Sequence, residues 1–154
     1  MYVLIFLFAI ALDQITKIWA INNLKGQSEI VVLNKWLHFT YVENSGAAWG
    51  ILQQGTIILV FLTLLICFGI IYYLIKFNAT INNYVKIPLI FILAGAIGNL
   101  IDRIRLGYVV DFIFSPLGGL YDFPVFNFAD IYVSLAAIFL IIYMFFIEGK
   151  NVQE

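Results

Sequence analysis

The chain has 154 residues, 64% of them hydrophobic and only 11% charged, with a formal net charge of -1 and a mean hydropathy of +1.02. That balance excludes a soluble domain of ordinary composition, and without a basic cluster no nucleic-acid partner is expected. The single cysteine, Cys67, cannot form an internal disulfide and leaves the redox compartment open.

Four stretches, at about 2–22, 56–77, 87–105 and 129–147, approach the roughly 20 apolar residues that a helix needs to cross about 30 Å of hydrocarbon. The expected fold is therefore that of an all-α membrane protein, a four-transmembrane-helix bundle in one domain over 1–154, ending in the polar tail GKNVQE. The first stretch lacks the charged n-region and small-residue cleavage site of a secretory signal, so it is expected as a retained span. It carries Asp13 and Lys17 four residues apart, on one helix face, with the acid N-terminal as an i,i+4 ion pair prefers.

Segment 23–55 holds two β-branched and aromatic runs, SEIVVL and WLHFTYV, separated by Asn34-Lys35. This pattern predicts a turn and a small sheet outside the membrane. His38, flanked by apolar residues of the second run, reads as a structural histidine. The following ENSGAAWG joins a polar Asn44 to small residues that permit close backbone approach. On the third span, LAGAIGNLIDRI puts Asn99 and Arg103 on one face with Gly95 a turn earlier, and Asp102 is expected to neutralise Arg103 or Arg105.

The stretch from 108 to 130, YVVDFIFSPLGGLYDFPVFNFAD, is apolar and aromatic, and Asp111 and Asp130 stand in it among Val and Phe. An isolated ionised carboxylate is expensive in such surroundings. Two carboxylates close enough to share a proton have their pKa values pushed apart, which supplies one base and one acid for attack of water on a peptide carbonyl. The plainer alternative is that Asp130 caps a helix and Asp111 closes a loop turn.

Four spans put both termini on one side and segments 23–55 and 106–128 together on the other, so the unusual polar groups gather in one layer. Lysine and arginine counts do not orient the bundle, with Lys76, Lys86 and Lys150 on one side and Lys25, Lys35, Arg103 and Arg105 on the other. Besides a protease, paired acids in a bundle suit a small four-helix ion or proton conduit. A conduit should carry polar residues through its full depth, whereas spans two and four are apolar beyond their outer ends. A scaffold subunit would leave both aspartates dispensable.

The blocks DQITK (13–17), ENSGAAWG (43–50), AGAIGNLIDR (94–103), VVDF (109–112) and FNFAD (126–130), in this order, resemble the successive signatures of lipoprotein signal peptidase, also called signal peptidase II. The resemblance implies an aspartic endopeptidase of the bacterial cytoplasmic membrane, with both termini cytoplasmic and its site near the outer leaflet; with one histidine, a lone mid-span cysteine and no ligand cluster in the sequence, no metal or cofactor is expected. It implies a substrate that is a prolipoprotein with a diacylglyceryl cysteine, cut N-terminal to that cysteine, and further partners in membrane lipids and peptide-like inhibitors bound at the dyad. Its catalytic pair falls on Asp111 and Asp130. Supporting or substrate-binding roles fall on Asp13, Lys17, Asn44, Gly46, Gly95, Asn99, Arg103, Asn127 and Ala129. Segment 23–55 is then an extracytoplasmic β-structured cradle for substrate, and 106–128 includes a short helix or lid over the site.

Overall fold

The computed structural model describes residues 1–46 and 55–148. Part of the ENSGAAWG block, from Ala47 onward, and the tail 149–154 lie outside the described residues. Four helices are long and apolar enough to cross a membrane. They are α1 (Tyr2–Leu24), α2 (Thr56–Lys76), α3 (Asn83–Leu106) and α4 (Phe128–Tyr143), the last prolonged by a π-turn, Met144–Glu148.

α3 packs against each of the other three helices, and α1 also meets α4. Lipid tails are as apolar as leucine, so burial of greasy side chains does not drive these contacts, and close packing of small residues must. The buried residues accordingly include Ala9 and Ala20 on α1, Ala94, Gly95 and Gly98 on α3, and Ala129 and Ala136 on α4, beside larger ones such as Ile90, Leu93 and Leu100. Large side chains such as Phe8, Phe61, Phe68 and Phe145 point outward. The buried stripe of α1 runs Ala9, Asp13, Lys17, Ala20, Leu24, spaced three and four apart, so both charges of this span face the bundle.

Between the helices the chain builds one antiparallel sheet in the order β1-β2-β3-β4, from β1 (Ile30–Leu33), β2 (Leu37–Asn44), β3 (Val109–Ser115) and β4 (Phe123–Phe126). The turn expected at Asn34-Lys35 joins β1 to β2, with Lys35 at φ 64°. The sheet is larger than the sequence suggests, because 106–128 contributes half of it. Asp111 therefore lies in a strand and not in a loop turn. The short helix expected in this segment is a single 3-10 turn, Leu117–Gly119, beyond the far end of β3, roughly 13 Å along the strand from Asp111. That tip is tied to the other hairpin: the Gly118 N–H donates to the Lys35 carbonyl at 2.6 Å and the Ser115 hydroxyl to the Trp36 carbonyl at 2.7 Å.

Two junctions set the sheet on the bundle. α3 ends on Gly107 at φ 84°, whose N–H caps the Arg103 carbonyl, and β3 starts two residues later. Where the end of α1 meets the sheet, Ala20, Leu24, Val110, Phe112 and Ile113 form a buried cluster. Aromatic contacts extend it from Trp19 through Phe39 and Phe112 to Phe128. The register of β2 on β3 shifts between Phe39, opposite Ile113, and Val42, opposite Asp111. Such irregularities re-aim side chains, and this one falls beside Asp111.

The closest approach of α4 to α3 requires glycine. A Cβ on Gly95 would stand 2.5 Å from the Ala129 carbonyl oxygen and 2.8 Å from Val133 Cγ2. Gly95→Ala should therefore push the first turn of α4 away and cost about 1–3 kcal/mol, the usual range for overpacking. Thermal unfolding in detergent should show a lowered midpoint, and an unchanged midpoint would mean that the two helices separate freely at this position.

Candidate active site

Asp111 and Asp130 are brought together by one residue. Asn127 caps α4: its side-chain oxygen accepts from the Asp130 N–H at 3.0 Å, and its own N–H donates back to Asp130 Oδ2 at 3.2 Å, a complete capping box. With its oxygen so committed, its amide nitrogen must turn the other way, and it donates to Asp111 Oδ1 at 2.6 Å. The capping alternative for Asp130 is thus correct as far as it goes, and the same cap reaches the second acid.

A second amide approaches Asp111 by the same logic. The Gly46 N–H donates to Asn44 Oδ1 at 3.0 Å, which turns Asn44 Nδ2 onto Asp111 Oδ2 at 2.9 Å. Asp111 is 2% exposed. Burial, and after it the negative charge of Asp130, push its carboxyl up from the ordinary carboxylate range to about 7; the two amide donors and the charge of Lys17 oppose them.

Asp130 is only partly buried, and its Oδ1 accepts from Asn99 Nδ2 at 2.9 Å. Asn99 is oriented in turn, because its oxygen accepts from Lys17 Nζ at 2.8 Å and from Asn127 Nδ2 at 3.2 Å. Lys17 pairs with Asp13 at 3.0 Å, as the i,i+4 spacing predicts. Asp13 also accepts the Ala129 N–H at 3.0 Å. Arg103 lies partly buried near both aspartates, and its Nη2 donates to the Gly46 carbonyl at 3.1 Å. Every expected supporting residue, Asp13, Lys17, Asn44, Gly46, Gly95, Asn99, Arg103, Asn127 and Ala129, therefore touches this network or packs directly against it.

Asp102 makes its ion pair elsewhere than expected: its Oδ2 lies 3.0 Å from Lys17 Nζ, and it acts on Arg103 only as a nearby charge. On a helix, neighbouring residues diverge by about 100°, so Asp102 faces α1 together with Gly98 while Arg103 follows Asn99 toward the aspartates. Gln14 and Gly98 were missed as well. Gln14 Nε2 donates to Asp13 Oδ2, the Gly98 carbonyl and Asp102 Oδ1 at 3.2, 3.2 and 3.1 Å. A Cβ on Gly98 would stand 2.5 Å from Asp13 Oδ2. An amide next to a charged residue in a membrane span was a signal that could have singled out Gln14. His38 lies apart, with Nδ1 3.3 Å from Glu29 Oε2 and its ring edge-on to Phe114.

The fold and site define a small polytopic membrane protein with two carboxylates coupled through an asparagine at one end of its bundle. The family model for signal peptidase (SPase) II matches residues 5–146. The chain is 47% identical over 150 residues to the lipoprotein signal peptidase of Clostridium novyi (strain NT), covering 97% of this chain and all of that one. It is 42% identical over 156 residues to that of Clostridioides difficile (strain 630), covering 98% and 99%. Among solved structures it resembles a bacterial membrane enzyme with a TM-score of 0.84 and 35% identity, over 95% of this chain and 93% of the other. The chain belongs to the signal peptidase II family and is an aspartic protease of the bacterial membrane. Neither the conduit nor the scaffold reading finds support in these relatives.

The titration of Asp111 should be visible in stability. Because the folded protein holds this proton more tightly than the unfolded chain, the contribution is fully present at low pH. It is lost as pH rises from the ordinary carboxylate range to about 7. Thermal midpoints in detergent should therefore shift in favour of Asp111→Asn relative to the parent between about pH 4 and 7, by on the order of a few kcal/mol, and level off above. A difference independent of pH would mean that Asp111 ionises like an exposed carboxylate.

Proposed function

We propose that this protein removes the signal peptide from diacylglyceryl-modified prolipoproteins, cutting on the N-terminal side of the lipidated cysteine, with Asp111 and Asp130 as the catalytic pair. The observation that carries the assignment of the pair is the Asn127 bridge, a single residue bonded to both carboxylates, to Asp130 through its backbone N–H and to Asp111 through its side-chain amide.

The unequal surroundings suggest the roles. Asp111, buried and pushed up to about 7, is the group that keeps a proton. Asp130 sits in the first turn of α4 with the Asn127 N–H and Asn99 amide as donors, an arrangement that suits an anion. In this mechanism Asp130 takes a proton from water as its oxygen bonds to the scissile carbonyl carbon, and Asp111 gives its proton to the carbonyl oxygen. The tetrahedral intermediate collapses as the C–N bond breaks. Asp130 passes its proton to the departing amine, and Asp111 recovers one from the hydroxyl, which restores the pair. A peptide-like inhibitor of the family would compete at the same two carboxylates.

The depth of the site supports a lipid-anchored substrate. Both aspartates stand where the bundle meets the sheet, so a scissile bond must be presented at the membrane surface. Two acyl chains, at about 0.8 kcal/mol per buried CH₂, fix that depth far better than a few polar contacts, and they turn a three-dimensional search into a lateral one. Exposed Leu120, Tyr121 and Phe123 add an apolar surface on the β3–β4 hairpin, past the end of β3 remote from Asp111.

The test is cleavage of matched precursors, with and without the diacylglyceryl group, by the purified protein at equal bound substrate. The lipidated precursor should be cut far faster, and equal rates would mean that the enzyme does not read the lipid. Asp111→Asn and Asp130→Asn should each lower cleavage by several orders of magnitude while the protein stays folded. Cleavage by either variant within a few-fold of the parent would remove that residue from the pair.

The same reading sets both termini in the cytoplasm and the sheet outside. In a Cys67→Ala background, Ser28→Cys or Leu120→Cys should react with an impermeant thiol reagent added to intact cells, and Asn78→Cys should not. The reverse labelling pattern would turn the bundle over and remove exported precursors as substrates.

A further inference from the structure

Asp102 belongs to a buried ion cluster that the catalytic steps above do not use. Asp13, Lys17 and Asp102 are 0%, 1% and 3% exposed. The three ammonium protons of Lys17 have three acceptors, Asp13 Oδ2 and Asp102 Oδ2 at 3.0 Å each and Asn99 Oδ1 at 2.8 Å. Gln14 stitches the two carboxylates together from the side. Such a cluster is a poor device for stability, since apolar residues of similar volume often do as well or better.

Its outward bonds share one pattern. Asp13 Oδ1 accepts the N–H of Ala129, the residue immediately before Asp130, at 3.0 Å. Asp102 Oδ2 accepts the N–H of Val110, the residue immediately before Asp111, at 3.1 Å. Val110 and Ala129 are themselves fully buried, so each N–H depends on its carboxylate for a partner. We propose that Asp102 is a positioning residue for Asp111, the counterpart of Asp13 for Asp130, and that Lys17, by bridging the two carboxylates, fixes the spacing of the two catalytic peptide segments. The inference rests on the assignment of Asp111 and Asp130 as the catalytic pair.

The cluster reaches from α1 and α3 to the backbone of β3 and α4, so it spans the elements that deliver the two acids. A catalytic constellation must be held to within about 0.5 Å, and a displacement of about 1 Å can cost about 100-fold in rate. A side chain that only stabilised the fold would change how much protein is folded. One that sets the spacing of the pair must change turnover of bound substrate.

The test compares three purified, folded variants on the lipidated precursor. Asp102→Leu removes the acceptor and leaves Lys17 neutralised by Asp13; it should lower kcat about 100-fold with KM within about threefold of the parent. Asp102→Asn keeps an oxygen for the Val110 N–H and should stay within about tenfold of the parent kcat. Asp111→Asn is the inactive reference. If Asp102→Leu keeps the parent kcat, or raises KM alone, or if Asp102→Asn loses as much as the leucine variant, the positioning role is overturned while the catalytic pair stands. Activity in Asp111→Asn instead overturns the catalytic assignment. Should Asp102→Leu not fold, Asp102→Glu, which keeps a charge for Lys17 but moves the acceptor of the Val110 N–H by one methylene, carries the test, with about a tenfold fall in kcat expected and an unchanged kcat overturning the proposal.

Discussion

Two carboxylates that must approach each other in a layer with little water repel at low dielectric, and in this fold that repulsion is contained by Asn127. The residue has four hydrogen-bonding groups, and three are committed to Asp130 and Asp111: backbone N–H to Asp130 Oδ2, side-chain oxygen to the Asp130 N–H, side-chain nitrogen to Asp111. Because the first two also start helix α4, the position of the acids relative to each other is coupled to the entry of a transmembrane helix. Loosening the site would therefore disturb the first turn of α4, which lies so close to α3 that no Cβ fits at Gly95.

The same coupling explains why polar residues recur along one side of α1 and α3. A carboxylate or an ammonium in the span region is expensive unless it is fully partnered, and here partnership is passed inward from the site. Asp111 and Asp130 take amides from Asn44, Asn127 and Asn99. Those amides are turned by the Gly46 N–H, the Asp130 N–H and Lys17, and Lys17 is turned by two further acids. Each layer of groups thus supplies hydrogen-bond partners to the one before it. Gly98 belongs to the set although it bears no polar side chain, since any larger residue would occupy the place of the Asp13 carboxylate.

Much of this was legible in the sequence, for physical reasons that differ by element. The four spans follow from composition, because backbone in hydrocarbon must satisfy its own hydrogen bonds, and their observed ends lie within a few residues of those expected, except for α3, which starts at Asn83 instead of 87. Asn82 explains that difference: its side chain caps the Val85 N–H and starts the helix before the apolar run begins. The pairing of Asp13 with Lys17 followed from local periodicity. The partner of Asp102 did not, because periodicity gives a face and not the neighbour that the face will meet. The β3–β4 half of the sheet was hidden for a related reason. VVDFIFS is a continuous apolar run with one acid, a pattern that also fits a span end, and only pairing with β2 from a distant part of the chain makes it a strand.

The distribution of these groups in depth separates surface hydrolysis from transport more firmly than the residue types do. Acids and amides of the network come from the C-terminal half of α1, the C-terminal half of α3, the N-terminal turn of α4 and the sheet, all at one end of the bundle. Toward the other end the helices meet through apolar residues such as Ala9, Ile90, Leu93 and Ala136. A relay needs partners spaced at hydrogen-bond distance through the whole hydrocarbon layer, and a hydrolase needs them only where the bond to be cut can be reached by water. What α1 and α3 hold is therefore a group of polar side chains gathered toward one end of the bundle, and the apolar remainder of each helix gives it the length and composition to cross a membrane.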